Sequence, residues 1–178
     1  GFSTILTDPN LPSGTDRIAQ ANHSLQNDIV LNVQADEPLV LREHILSLTK
    51  AIEREGADLA TLATPFVSNE DFTDPNQVKV VLDGNGFALM FSRCPIPYDR
   101  ENDGQLCSSS YKHLGLYGYR KEFLEEFAHL PLGNLENLEK LEQLRALENG
   151  KRISVEIVQN GTVGVDTVED LAAIQFGQ

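Results

Sequence analysis

Apolar runs of strand length alternate with amphipathic segments through the first 65 residues. Residues 29–33 and 59–65 are strand-like runs bounded by polar residues, whereas 16–25 and 43–54 have the three-to-four-residue apolar spacing of helices. This alternation predicts strand–helix–strand units with right-handed crossovers. Strands of such sheets are apolar on both sides, so we expect residues 29–33 to be buried on both faces. The sequence therefore predicts an α/β fold with a mostly parallel sheet flanked by helices.

The pattern changes in the middle of the chain. Two strand-like runs, residues 78–82 and 87–91, flank Asp83-Gly84-Asn85-Gly86, which is typical of an antiparallel hairpin. A polar loop rich in turn residues follows at 95–110, and then another strand-like run at 113–119. We expect this region to be a small antiparallel part of the fold. A further short strand is predicted at residues 2–6, the start of the chain.

Leucines recur with helical spacing near the C-terminal end. Leu138, Leu141, Leu144 and Leu147 lie on one face of a segment that ends at Asn149-Gly150. The spacing predicts one continuous helix over residues 135–148. Glu142, Gln143 and Arg145 fall off the leucine stripe, where they are either a solvated face or groups able to reach a sugar hydroxyl.

Length and charge limit the classes of function. A chain of 178 residues fits one domain. The net charge of −13 argues against a nucleic-acid partner, because such binding depends on Lys and Arg contacts with phosphates. No apolar run approaches the ~20 residues of a membrane span, so we expect no membrane insertion. A small anionic ligand would need a local basic cluster, a metal ion or both.

The two cysteines, Cys94 and Cys107, are too few for a disulfide framework and lack zinc-ligand spacing. Free thiols are typical of a reducing compartment, so we expect a cytoplasmic protein.

Two aspartates follow strand-like segments. Asp36 comes directly after the run at 29–33, where ligands of open α/β sheets bind, and such an Asp can hold Mg²⁺ together with phosphate oxygens. A simple turn is the alternative. Asp166 lies between an apolar segment and a helix start, so helix capping is its alternative. Two carboxylates from distant segments could share one cation. We therefore expect both side chains to converge on a divalent ion beside a nucleotide pocket.

Two further groups could bind an anion. The small residues Ser13, Gly14 and Thr15 let backbone approach a ligand at a helix start, although a plain capped helix would look the same. Basic residues are concentrated in the middle of the chain, where a cluster would bind carboxylate or phosphate. Solvated surface positions are the alternative for each of them: Lys79, Arg93, Lys112, His113, Arg120 and Arg145.

Seven segments together resemble, in order, the successive motifs of the CMP-KDO synthetases (3-deoxy-manno-octulosonate cytidylyltransferases). They lie at residues 13–17, 32–38, 78–81, 91–93, 113–120, 141–145 and 164–167. The strings His-Leu-Gly-Leu-Tyr-Gly-Tyr-Arg at 113–120 and Leu-Glu-Gln-Leu-Arg at 141–145 are specific, because sialic-acid cytidylyltransferases share the fold but do not normally show them.

The resemblance implies a Rossmann-like nucleotidyltransferase fold over residues 1–178, with a small dimerisation and sugar-binding subregion at about 78–130. It implies a homodimer that uses Mg²⁺ to convert CTP and KDO into CMP-KDO and pyrophosphate, for lipopolysaccharide biosynthesis. The implied metal ligands are Asp36 and Asp166, which with Arg93 form the catalytic group. The implied nucleotide contacts are Ser13, Gly14, Thr15 and Gln34. The implied sugar contacts are Arg93, His113, Tyr117, Glu142 and Gln143.

The sequence departs from that family in two places. CMP-KDO synthetases open with a strand and a loop rich in Arg, Lys and Gly that grips the triphosphate, and this chain begins beyond that point. We therefore expect a truncated form that transfers little or nothing alone. Gly133-Asn134 stands where relatives tend to have Ser-Pro. The alternatives are a cytidylyltransferase for 8-amino-KDO or sialic acid, and an inactive remnant that only binds metal or dimerises.

Overall fold

The computed structural model describes residues 3–11, 13–35 and 37–162. Within them, the chain forms helices and strands in this order: α1 (Gly14–Leu25), β1 (Ile29–Asn32), α2 (Arg42–Glu53), β2 (Leu59–Pro65), α3 (Asn69–Thr73), β3 (Lys79–Leu82), β4 (Ala88–Ser92), β5 (Tyr111–Arg120), α4 (Lys121–Phe127), α5 (Asn134–Glu139), α6 (Gln143–Glu148) and β6 (Ile153–Ile157). The predicted α/β class, the hairpin and the loop at 95–110 are confirmed.

The six described strands form one sheet in the order β4-β3-β5-β2-β6, with β1 paired to β5. Only the β2–β6 pairing is parallel within the described residues. The expectation of a mostly parallel sheet is therefore wrong, because most neighbouring strands pair antiparallel. The strands β1, β2, β3 and β6 do point the same way, but the long strand β5 runs against them in the middle and is the partner of three of them.

Two apolar cores lie on the two faces of this sheet. Side chains of β2 alternate between them, because successive residues of a strand point to opposite faces. Helix α2 packs its buried Leu48 and Ile52 on one face. Helices α4 and α6 pack Phe127 and Leu144 on the other. The result is a sheet covered by helices on both sides, as the sequence predicts.

Three local predictions are wrong. Residues 3–6 are exposed and form no strand, and Phe2 lies outside the described residues. Strand β1 is only half-buried rather than buried on both faces. The helix expected over 135–148 is two helices, α5 and α6, and Leu138 on its leucine stripe is 80% exposed.

The break between α5 and α6 falls at Lys140, which takes the left-handed conformation with φ of 54°. A non-glycine residue in this conformation pays a steric cost, so tertiary contacts must hold it there. The turn redirects the chain before Glu142 and Gln143.

Candidate active site in a cleft beside strand β5

Strands β1 and β3 pair with the same edge of β5 but with different halves of it. Asn32, the end of β1, lies opposite Tyr117, and Lys79, the start of β3, lies opposite Lys112. Between these two points the neighbouring strands diverge, so on this edge the middle of β5 has no strand beside it among the described residues, while β2 pairs with the other edge. Ligands of α/β sheets commonly bind where neighbouring strands part in this way.

A cleft of about 560 Å³ occupies this gap. Its lining comes from five separate parts of the chain: the turn after β1, the segment before β3, strand β5, the α5–α6 junction and the segment after β6. The lining residues are Gln34, Glu37, Asn76, Gln77, Val78, Lys112, His113, Leu114, Gly115, Tyr117, Lys140, Leu141, Glu142, Gln143 and Thr162. Five residues predicted as site residues, Gln34, His113, Tyr117, Glu142 and Gln143, therefore meet in one cavity.

His113 is a buried, neutral imidazole on the wall of the cleft. Its Nε2 lies 2.9 Å from Thr61 Oγ1. That hydroxyl has one hydrogen, which it donates to backbone carbonyls of β5 at 3.1 Å and 2.8 Å. With the Thr61 hydrogen directed to these carbonyls, we assign the proton of the neutral ring to Nε2, which leaves Nδ1 as a hydrogen-bond acceptor. Burial lowers the pKa of His113 to about 3, so the ring stays uncharged at neutral pH.

Tyr117 and Gln143 form a hydrogen-bonded pair in the lining of the cleft. The Tyr117 hydroxyl donates to Gln143 Oε1 at 3.2 Å. Burial raises the pKa of Tyr117 well above its ordinary range, and the neighbouring Tyr119 and Glu142 raise it further. Gln143 is only 4% exposed, and its Nε2 has no hydrogen-bond partner among the described residues.

Glu142 stands beside Gln143 at the start of α6. Its Oε2 accepts a hydrogen bond of 3.1 Å from Thr15 Oγ1, whereas its buried Oε1 has no partner within the part of the chain that the structure describes. Two polar atoms of adjacent residues, one acceptor and one donor, are thus buried without partners among residues 3–11, 13–35 and 37–162. Such groups are rare in folded proteins, and a bound polar ligand is one way to satisfy them.

The predicted nucleotide residues lie at the start of α1, close to this cleft. Ser13 caps the helix, since its Oγ accepts from the Asp16 N–H at 3.2 Å and donates to Asp16 Oδ2 at 2.7 Å. Gly14 faces open space. Ser13 lines a second cleft of about 600 Å³, which shares Lys140 and Glu142 with the first. The two clefts are therefore neighbours separated by the α5–α6 junction.

Arg93 is not among the residues that line the main cleft. Its Nε donates to Glu139 O at 2.7 Å and its Nη1 to Pro75 O at 3.0 Å. The predicted sugar contact of Arg93 stays a prediction. Of the other basic candidates, Lys112 lines the cleft. Arg120 lies at the other end of β5, where its side chain donates to Ala57 O.

Two other basic candidates are buried and paired. Lys79 is fully buried, and its Nζ donates to Asp74 O and Arg93 O, both at 2.7 Å. Desolvation lowers the pKa of Lys79 despite the nearby Asp74. Arg145 forms a bidentate pair with Glu136 through bonds of 2.8 and 2.6 Å. These contacts make both cations structural elements around the cleft.

Asp36 and Asp166, the predicted metal ligands, lie outside the described residues. Within residues 3–11, 13–35 and 37–162, no group of three His, Cys, Asp or Glu side chains is arranged to hold a metal ion. The residues that flank Asp36 by position, Gln34 and Glu37, line the cleft. Thr162, four residues before Asp166, lines it as well.

Sequence patterns did not reveal part of the lining. Asn76 and Gln77 come directly before strand β3, and polar residues at a strand boundary are a signal that could have found them. Lys140 had no such signal, because neither Gly nor Pro marks the helix break there.

A family model described as cytidylyltransferase matches residues 1–153. A 3-deoxy-manno-octulosonate cytidylyltransferase of Thermodesulfovibrio yellowstonii is 46% identical, over 96% of this chain and 71% of its own. A 3-deoxy-manno-octulosonate cytidylyltransferase of Chloroherpeton thalassium is 49% identical, over 98% of this chain and 72% of the relative. An 8-amino-3,8-dideoxy-manno-octulosonate cytidylyltransferase of Shewanella sp. is 44% identical, over 96% of this chain and 71% of the relative.

Solved structures agree with these relatives. The CMP:2-keto-3-deoxy-manno-octonic acid synthetase complexed with CTP superposes with a TM-score of 0.87 at 35% identity, over 94% of this chain and 68% of that one. A putative glucose-1-phosphate thymidylyltransferase of Bacillus anthracis, 14% identical with a TM-score of 0.59, shares the fold alone. The sequence resemblance and the nucleotidyltransferase fold are confirmed, and the chain belongs to the cytidylyltransferase family, with the 3-deoxy-manno-octulosonate enzymes among its relatives.

Proposed function

We propose that the chain carries the sugar-acid site of a cytidylyltransferase that converts CTP and KDO into CMP-KDO and pyrophosphate. The names of the relatives and the CTP complex of the similar structure support this reaction. The single structural observation behind it is the buried Gln143 Nε2 without a partner among the described residues, in a cleft that also holds Tyr117 and Glu142. Leaving a buried donor unsatisfied costs about 1–3 kcal/mol, which a bound hydroxyl would offset.

The polar groups of the cleft match a polyhydroxylated acid. Glu142 Oε1 accepts and Gln143 Nε2 donates, so the two together suit neighbouring hydroxyls of a sugar. His113 offers an acceptor at Nδ1, which suits a further hydroxyl and cannot bind a carboxylate. The lining cations Lys112 and Lys140 are the groups suited to the carboxylate of the sugar acid.

The reaction needs in-line attack by the anomeric hydroxyl on the α-phosphorus of CTP, while pyrophosphate leaves. Most of the protein's contribution to such a transfer is positioning and charge stabilisation. We assign the nucleotide contacts to Ser13, Gly14, Thr15 and Gln34. Their position next to Glu142, through the Thr15 hydrogen bond, supports a nucleotide beside the sugar cleft.

We further propose that Asp36 and Asp166 hold Mg²⁺. When bound, this ion supplies neutralisation of the charge on the triphosphate oxygens, which a chain of net charge −13 otherwise lacks. Carboxylates are the protein ligands that Mg²⁺ prefers. Calorimetric titration with Mg²⁺ tests the assignment without any turnover: Asp36→Asn and Asp166→Asn should each weaken binding, and Asp103→Asn, in the exposed loop, should not.

Sugar-acid binding is tested by calorimetry with KDO. Gln143→Leu should weaken KDO binding about tenfold or more, because the buried donor is lost. Gln105→Leu, in the loop at 95–110, is the matched control and should bind like the parent chain. Equal affinity of the parent and the Gln143→Leu variant would contradict the assignment, and pyrophosphate release from CTP then decides whether the chain transfers at all.

The substrate alternative is an 8-amino sugar acid. The Shewanella relative, which is named for that compound, is similar enough to keep it open. A positive 8-ammonium would favour the carboxylates Glu37 and Glu142 in the cleft lining. Competition between KDO, 8-amino-KDO and sialic acid in one pyrophosphate-release assay distinguishes the three substrates.

We also propose a homodimer in the cytoplasm. Strand β4 lies at one end of the described strand order, and Phe87, just before it, forms a single bridge to Ser154 of β6. Beyond that bridge Leu89 is exposed, so another copy can cover this part of the edge. Light scattering should show a dimer that Leu89→Lys converts to a monomer.

Cys94 and Cys107 are free thiols, in keeping with a reducing compartment. No helix within the described ranges is long and apolar enough to cross a bilayer.

A further inference from the structure

Lys79 and Arg93 bind backbone carbonyl groups instead of carboxylates. Lys79 Nζ donates to Asp74 O and to Arg93 O. Arg93 donates through Nε to Glu139 O and through Nη1 to Pro75 O. Four bonds of 2.7 to 3.0 Å thus connect the segment before β3, the end of β4 and the end of α5.

Glu139 closes this network from the other side. Its carboxylate accepts from Ser92 Oγ at 2.7 Å and from the Arg93 N–H at 2.9 Å. The last residue of α5 is therefore held to the end of β4 through both its side chain and its backbone carbonyl. Lys140, which breaks the helix, is the next residue in the chain.

Three of the four carbonyls that this network holds, and its carboxylate, belong to residues that come directly before the cleft lining. Asp74 and Pro75 precede the lining residues 76–78, which form one wall. Glu139 precedes the lining residues 140–143, which form another. The cleft-facing donors and acceptors are therefore one to four residues away from the groups that Lys79 and Arg93 bind.

We propose that Lys79, Arg93 and Glu139 form a brace that sets the distance and orientation of these two cleft walls, with Arg93 as a positioning residue. The inference rests on the proposed function only for what binds in the cleft. Arg93 acts through Gln143 and its neighbours, since the hydrogen bonds of its side chain go to the backbone carbonyls of Glu139 and Pro75. Lys79 is fully buried, so its ammonium depends on the carbonyls of Asp74 and Arg93 for its hydrogen bonds.

Hydrogen exchange tests the brace without any ligand. Arg93→Met and Lys79→Met should each raise exchange of the amides at 76–78 and 140–143 about tenfold in folded protein. Glu139→Gln is a milder change and should raise amide exchange at the same positions to a smaller extent. This variant tests the brace if a methionine variant does not fold. Arg120→Met is the control, because that arginine also donates to a carbonyl but lies away from the cleft. Unchanged exchange at both walls would overturn the brace.

Affinity for KDO separates positioning from direct contact. If the brace acts as a unit, Lys79→Met, Arg93→Met and the double variant should all weaken KDO binding by a similar factor, about tenfold. If Arg93 contacts the sugar directly, Lys79→Met should bind KDO normally, or the two effects should multiply in the double variant, and either result overturns the inference. Arg93→Lys should restore little of the KDO affinity lost in Arg93→Met, since one ammonium cannot reproduce the two donors of the guanidinium group. Absence of KDO binding by the parent chain would refute the proposed function, while the exchange experiment would still decide on the brace.

Discussion

The Thr15 hydroxyl donates a hydrogen bond of 3.1 Å to Glu142 Oε2, across 127 positions of the chain. Thr15 belongs to the first turn of α1, and Glu142 precedes the first residue of α6. Thr15 is almost fully buried, and its Oγ1 also lies 3.4 Å from the Tyr119 hydroxyl. This contact links the motif expected to bind the nucleotide with the motif expected to bind the sugar.

Removal of that hydroxyl should destabilise the protein. Thr15→Val keeps the shape but leaves the part-buried Glu142 Oε2 without this donor, at a cost of about 1–3 kcal/mol in the free energy of unfolding. Thr15→Ser keeps the donor and is the control, with a smaller loss from one missing methyl group. Urea denaturation measures both variants. A Thr15→Val variant as stable as the parent would show that the bond contributes nothing.

The buried pair of Glu136 and Arg145 should be the most sensitive ionic contact. Both side chains are 10% exposed, and hydrogen bonding to Glu136 raises the pKa of Arg145. Arg145→Met should cost about 3–5 kcal/mol, because it leaves Glu136 charged and buried. The double variant Glu136→Leu with Arg145→Met should recover much of that loss, and thermal denaturation measures both.

The control for this pair is a surface ion pair. Lys50 is 73% exposed in its contact with Glu156. Lys50→Met should change stability by less than about 1 kcal/mol. A loss as large as that of Arg145→Met would contradict the expected dependence on burial.

His113 should make stability depend on pH in acid. Its pKa is lowered to about 3 in the folded protein, while the unfolded chain takes up a proton near the ordinary value of about 6.5. Between these values the unfolded state binds more protons, so stability falls as pH decreases, by up to about 1.4 kcal/mol per pH unit from this group. The difference in unfolding free energy between His113→Gln and the parent, measured from pH 7 to pH 4, isolates that contribution. A difference independent of pH would contradict it.

Lys140 should show separate effects of backbone and charge. Lys140→Gly relieves the left-handed conformation and should be more stable than Lys140→Ala by about 1 kcal/mol. Both variants lose one of the two lysines that line the cleft and should therefore weaken KDO binding by a similar factor. Denaturation and calorimetry on the two variants measure each effect. If Lys140→Ala is the more stable variant, the greater conformational freedom of glycine in the unfolded chain outweighs the relief of the left-handed conformation at this site.

Features that depend on short stretches of sequence were predicted well. The hairpin around Asp83-Gly84-Asn85-Gly86 follows from local turn chemistry, and α2 and β2 follow from apolar periodicity. Glu142 and Gln143 were recognised because their motif is a short string. Each of these signals lies within about ten residues, which is the range over which a sequence pattern acts without knowledge of the fold.

The tertiary structure alone decided the direction of β5, the break at Lys140 and the partners of Arg93. The direction of β5 depends on which strands it meets, and a strand pattern looks the same in either direction. The leucine stripe suits one helix, but the bonds of Glu139 to Ser92 and Arg93 end α5 first. By itself, the sequence therefore determined the α/β class and the family, because local preferences and motifs carry them. Long-range hydrogen bonds between distant segments decided the shape of the cleft.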